Sequence, residues 1–135
     1  MKSLSLIQKA VCLCLTLLLL SACTLTVCAE GAGITPRYIY TGSITVDLSF
    51  SGGTAICSGS VTPAASYGST ITVTLYRQEG SSWVYVTSWR GTATGSNTAS
   101  ASGSKYVGSG TFKVVSSGII GNGMERPSKS VIRSN

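Results

Sequence analysis

The sequence has 135 residues and a formal net charge of +6, with ten Lys and Arg, four Asp and Glu, and no His. Without His no His-based triad can form, and four carboxylates leave little for paired acid–base chemistry or a zinc site. A chain this rich in Ser, Thr, Gly, Val and Ala is suited to building a sheet scaffold and binding something, and poorly suited to moving protons.

The N-terminus reads as a targeting segment. Met1 to Lys9 carries Lys2 and Lys9 and no acid, and Ala10 to Leu20 is almost wholly apolar, a basic region followed by an apolar region of secretory length. A membrane span needs about 20 apolar residues, and the stretch here is interrupted by Thr16, Ser21, Thr24 and Thr26. The expected signal peptide covers residues 1–29, with cleavage after Val27-Cys28-Ala29 leaving Glu30 as the new N-terminus. The alternative is a lipoprotein signal over residues 1–22. Leu20-Ser21-Ala22-Cys23 matches a bacterial lipobox, and Cys23 would then carry lipid on the outer face of the membrane. Either route exports the chain, to the extracellular space or to a lipid anchor.

Five Cys are encoded. Cleavage after Ala29 leaves Cys57 alone; lipidation leaves Cys28 and Cys57 as free thiols. Neither outcome provides a disulfide framework, so the domain must rest on its core. From Glu30 onward eight basic residues face four acidic ones, a net +4.

After an N-terminal segment, residues 30–42, the apolar period is two, the mark of strands. Ile44, Val46, Leu48 and Phe50 alternate with Ser43, Thr45, Asp47 and Ser49, and Ser51-Gly52-Gly53 turns the chain. Ala55, Cys57, Gly59 and Val61 share one face of the next strand. Pro63 to Ser69 is a loop. Ile71, Val73 and Leu75 then alternate with Thr70, Thr72, Thr74 and Tyr76. Gly80-Ser81-Ser82 turns into a strand from Trp83 to Trp89. Gly91 to Ser104 holds only small residues, as one strand near Thr98 to Ser104 or as a flexible loop. Thr111 to Ser117 presents Phe112 and Val114 to one side and Lys113 to the other. Asn122-Gly123 signals a hairpin, and Arg126 to Arg133 forms a last edge strand with Pro127 near its start. About seven short strands with regular turn signals predict an all-β fold, a single antiparallel β-sandwich over residues 43–135, immunoglobulin-like or fibronectin-like.

Several landmarks carry a resemblance. Arg37-Tyr38 and Thr41 after Pro36, Ser51-Gly52-Gly53-Thr54-Ala55 with Cys57, Gly80-Ser81-Ser82-Trp83, Ser88-Trp89 and Gly110-Thr111-Phe112 together resemble an uncharacterised family of small secreted β-sandwich proteins of Gram-positive bacteria. The likeness runs from Pro36 to about Ser117, with Phe112 standing where that family has Tyr. It implies a sandwich and no active site.

Enzyme motifs are absent. Ala93 between Gly91 and Gly95 excludes a nucleophile elbow, and Lys113 and Arg126 fill the third glycine position of two incipient dinucleotide fingerprints. The carboxylate pair a glycosidase needs reduces to Asp47 and Glu79, an outward strand residue and a turn residue. The chain is therefore expected to be a non-enzyme without cofactor or metal, acting through contacts with a cell-envelope or extracellular protein. A carbohydrate-binding module is the alternative and a hydrolase the remote one. No nucleic-acid partner is expected, and a membrane only through Cys23. The candidate binding residues are Trp83, Tyr85 and Trp89, which with strict alternation share a face with Thr87, and Tyr76 on the preceding strand. They form either an exposed platform or part of the core. Lys105, Lys113, Lys129 and Arg133 form a candidate basic face, suited to anionic polymers or serving only as a solvated surface.

Overall fold

Seven strands follow one another in the computed structural model, which describes residues 38–135. They are β1 (Thr41–Ser51), β2 (Thr54–Pro63), β3 (Ser69–Glu79), β4 (Ser82–Ala93), β5 (Ala99–Tyr106), β6 (Thr111–Ile120) and β7 (Ser128–Ser134). The expected signal, Cys23, and Pro36 and Arg37 lie outside the described residues.

The strands form a three-stranded sheet in the order β1-β2-β5 and a four-stranded sheet in the order β4-β3-β6-β7, with every neighbour antiparallel. The fourth strand pairs with the third, whereas in the constant-type immunoglobulin fold it joins the sheet of the first two. The all-β sandwich expected from the alternation is present. The stretch of small residues from Ala99 is a strand, because a facing sheet covers its inward alanines, Ala99 and Ala101.

The core follows the period-two pattern. Leu48, Ala55, Cys57 and Val61 from the three-stranded sheet meet Ile71, Val73, Leu75, Phe112, Val114 and Ile120 from the four-stranded one, all fully buried. Gly59 also faces in, and there the sheets approach so closely that a Cβ would overlap the Ser116 hydroxyl of β6. That hydroxyl is buried and has no hydrogen-bond partner.

Local chemistry sets the turns. Ser51 pairs with Thr54 across Gly52 and Gly53, at φ 55° and 79°. Two positive φ values in a two-residue loop define the type I′ hairpin whose twist matches the strands. Asn122-Gly123 is not such a hairpin. Asn122 has no positive φ, and a four-residue loop separates Ile120 from Glu125, which bridge to each other.

That loop delivers Glu125 to the N-terminal segment. Its carboxylate accepts hydrogen bonds from the Ile39 and Tyr40 N–H groups at 2.8 and 3.1 Å and from the Thr41 hydroxyl at 2.5 Å. Tyr38 adds a fourth tie, its hydroxyl accepting from the Ser128 N–H at 3.2 Å. Ordered chain thus precedes residue 43, and β1 begins at Thr41. Burial pushes the Glu125 carboxyl up, but these donors outweigh it and hold it below its ordinary value.

Candidate functional site

In β4 strict alternation fails at one residue. Leu75 pairs with Thr87 and Tyr76 with Tyr85, so Val86 has no partner and forms a β-bulge. Across a bulge the parity of the strand reverses. Thr87, Trp89 and Gly91 stand opposite Leu75, Val73 and Ile71 and point inward; Trp83 and Tyr85 stand opposite Gln78 and Tyr76 and point outward. The expectation that Trp83, Tyr85, Thr87 and Trp89 share one face is corrected by this one extra residue.

Trp89 is thereby a packing residue. It is half-buried against the core, and its indole lies over Gly103 of β5, where any Cβ would overlap the ring. Gly91 likewise abuts the Ser100 carbonyl, so β4 and β5 close one edge of the sandwich. At the other edge Arg133 of β7 pairs with Asp47 of β1 at 3.5 Å.

Outside the four-stranded sheet the register builds a grid of three cross-strand rows. The middle row runs Ile132, Lys113, Tyr76, Tyr85. On one side Ser134 pairs with Thr111, and Gln78 with Trp83; on the other lie Ser130, Val115, Thr74 and Ser88. Tyr85 and Ile132 are 60% and 55% exposed, enough to offer ring and alkyl surface to a partner. Tyr76 and Tyr85 meet edge to face, their centroids 6.4 Å apart. The Lys113 ammonium lies 4.6 Å from the Trp83 ring and 5.4 Å from the Tyr76 ring, a cation held by two aromatic quadrupoles. Tyr76, Trp83 and Tyr85 are therefore brought together, with Lys113 among them, and Trp89 is not.

The other candidates are dispersed. Lys113 sits on this outer face, whereas Lys105 is on β5 of the other sheet, Lys129 on β7, and Arg133 is engaged with Asp47. The outer face of the three-stranded sheet is a different surface, chiefly small hydroxyls such as Thr45, Ser60, Thr62 and Thr98, which bond to one another, with Ile56 and Tyr106 exposed among them. Asp47 and Glu79 lie on different sheets, Asp47 in mid-strand beside Arg133 and Glu79 at the end of β3. Among the described residues no three His, Cys, Asp or Glu are grouped as metal ligands. Cys57 is buried and free. Burial, and after it the charge of Asp47, pushes its thiol up to about 11, so it is not a nucleophile near neutral pH.

Lys113's place on Trp83 escaped the sequence reading, because it depends on strand order: β3 must lie between β4 and β6. The outward direction of Lys113 was visible in the alternation of β6.

No family model matches this chain. No curated protein matches it either. Among solved structures it is similar to wild-type OgpA from Akkermansia muciniphila in two crystal forms. One aligns with TM-score 0.47 and 16% identity over 75% of this chain, the other with TM-score 0.46 and 14% identity over 72%. The chain spans 30% of the length of those proteins.

Proposed function

We propose that this protein is an exported, non-catalytic binding protein that acts at the cell surface or outside the cell, and that its contact surface is the outer face of the four-stranded sheet. The observation that carries this reading is the outward cluster of Tyr76, Trp83 and Tyr85 created by the Val86 bulge. Aromatic rings left outside a filled core are the groups that dominate binding energy at interfaces. The facing sheet exposes Tyr106 and Ile56 among its hydroxyls, but no two rings meet there. The acidic residues support a non-catalytic role, since Asp47 and Glu125 are engaged in structural contacts.

Export rests on the basic and apolar N-terminus, and the resemblance to small secreted proteins of Gram-positive bacteria agrees with it. Intact mass spectrometry of cell-derived protein should find Glu30 or lipidated Cys23 at the N-terminus; retained Met1 would overturn export. For the contact surface, Trp83→Ala and Tyr85→Ala should abolish retention on the producing cell's envelope while leaving the unfolding midpoint within the range of ordinary surface substitutions, about 0.5 kcal/mol. Trp89→Ala should instead lower stability. Undiminished retention in both surface variants would refute the assignment of this face.

A further inference from the structure

The outer face of the four-stranded sheet carries two cations, Lys113 and Arg90, and no carboxylate. Arg133 with Asp47 is the one ion pair among the described residues, so the Lys113 ammonium has no acid partner there and rests on Trp83 and Tyr76. A cation–π contact at an exposed site is weak, about 0.5–1 kcal/mol, and a hydrogen-bonded anion competes well with it. Lysine suits such an exchange: its ammonium is a compact charge on a flexible four-carbon stem. Moving it from the indole to an anion uncovers the ring.

Resting on the reading that this face is the contact surface, we propose that it binds an acidic glycan, and that Lys113 is both the receptor for the glycan's anionic group and the cover of the Trp83 ring in the free protein. The face offers what such a ligand needs within one grid. Trp83 and Tyr85 give flat rings against which the C–H face of a pyranose can lie. Thr111, Gln78 and Ser88 give short polar groups beside those rings for sugar hydroxyls. Lys113 supplies the positive charge between them. The complete lack of carboxylates makes the charge complementarity one-sided, because nothing on the face repels an anion or competes for Lys113. An acidic protein segment would meet the same charge, but the small hydroxyls and single ammonium fit sugar hydroxyls and one acid group per unit better than a run of clustered carboxylates. The anion can be a carboxylate or a phosphate ester, and the two are separated by the choice of probe.

The test uses the exported protein, whose two Trp residues report by fluorescence. Short oligogalacturonate, its fully methyl-esterified counterpart, a phosphorylated oligomannose and polyglutamate are titrated in turn. Binding of oligogalacturonate or of phosphorylated oligomannose should shift Trp emission as Lys113 leaves the indole, with the tighter of the two naming the anion. The methyl ester should bind at least tenfold more weakly than the acid. Lys113→Met keeps the stem and removes the charge, so it should abolish the difference between acid and ester and eliminate the shift. Trp83→Phe keeps a ring and should retain binding of the acid while losing most of the emission change. Equal binding of acid and ester by the unsubstituted protein would overturn the role of Lys113 while leaving the face as a contact surface. Binding of polyglutamate in place of every glycan would overturn the ligand class. Failure of all four probes while Trp83→Ala still abolishes envelope retention would overturn the acidic glycan and spare the contact surface. Failure of all four with retention unchanged in Trp83→Ala would remove both.

Discussion

Replacing Gly59 by Ala tests the closeness of the two sheets at their centre. A methyl group on Gly59 overlaps the Ser116 hydroxyl and lies 2.8 Å from Val73 Cγ2 and 3.1 Å from the Thr45 carbonyl oxygen. The backbone neighbour cannot turn aside, and Val73 is fully buried in the core. Overpacking of this kind costs about 1–3 kcal/mol, and three simultaneous contacts argue for the upper half of that range. In a domain of this size each kcal/mol moves the midpoint by about 4–8 °C, so Gly59→Ala should melt about 8–24 °C lower. Ser116→Ala alone should be neutral or stabilising by about 1 kcal/mol, because it deletes a buried hydroxyl without a hydrogen-bond partner. In the double variant the worst overlap disappears, and the two changes should couple by about 1–2 kcal/mol. Urea unfolding of the four proteins gives the cycle, with unchanged m-values as the check that both states stay comparable. A Gly59→Ala protein within 0.5 kcal/mol of the parent, or strict additivity of the pair, would refute the close approach of β2 and β6.

Two further predictions concern titrating groups. Cys57 should react with thiol reagents slowly in the native protein and completely in denaturant, and Cys57→Ser should cost about 1–3 kcal/mol by burying a hydroxyl with no assured partner. Because its folded value is raised to about 11, the stability linked to Cys57 is whole below its unfolded value of about 8.5 and is lost as pH rises from there through 11; fast stoichiometric labelling at neutral pH would contradict its burial. Glu125 has the opposite sign. Its folded value is lowered, so its contribution is present above about pH 4.3 and is lost as pH falls through the folded value. Glu125→Gln should flatten the acid limb of the stability curve and speed amide exchange at Ile39 and Tyr40, and unchanged exchange there would show that the carboxylate does not hold the segment.

Much of the sandwich was legible in the sequence because each sheet buries one face, and only a period of two presents one face. Ile44 to Phe50, Ala55 to Val61 and Phe112 to Val114 announce their inward sides, and Cys57 was readable as a small buried hydrophobe from its neighbours. The Val86 bulge was not readable. Trp83, Val84, Tyr85 and Val86 are apolar at both parities, so no polar residue marks where the alternation skips. The Glu125 clamp was hidden for another reason: its partners lie 84 to 86 positions away, and nothing local to either end announces the contact. Asn122-Gly123 misled in a related way, since the chain there forms the longer loop that carries Glu125 to the N-terminal segment.

The unpaired Val86 also divides one strand between two masters. From Thr87 to Ala93 the inward side chains of β4 answer to the interior, where Trp89 must fit against Gly103 and Gly91 against Ser100. From Ser82 to Tyr85 its outward rings, Trp83 and Tyr85, answer to whatever touches the surface. Substitution can therefore accumulate in the first half without disturbing the second, and the Gly80 turn that joins it to β3 can remain as it is. A lineage carrying this scaffold has a short stretch of β4 in which recognition can drift from one ligand to another while the protein goes on folding, and the inserted residue is what makes that drift affordable.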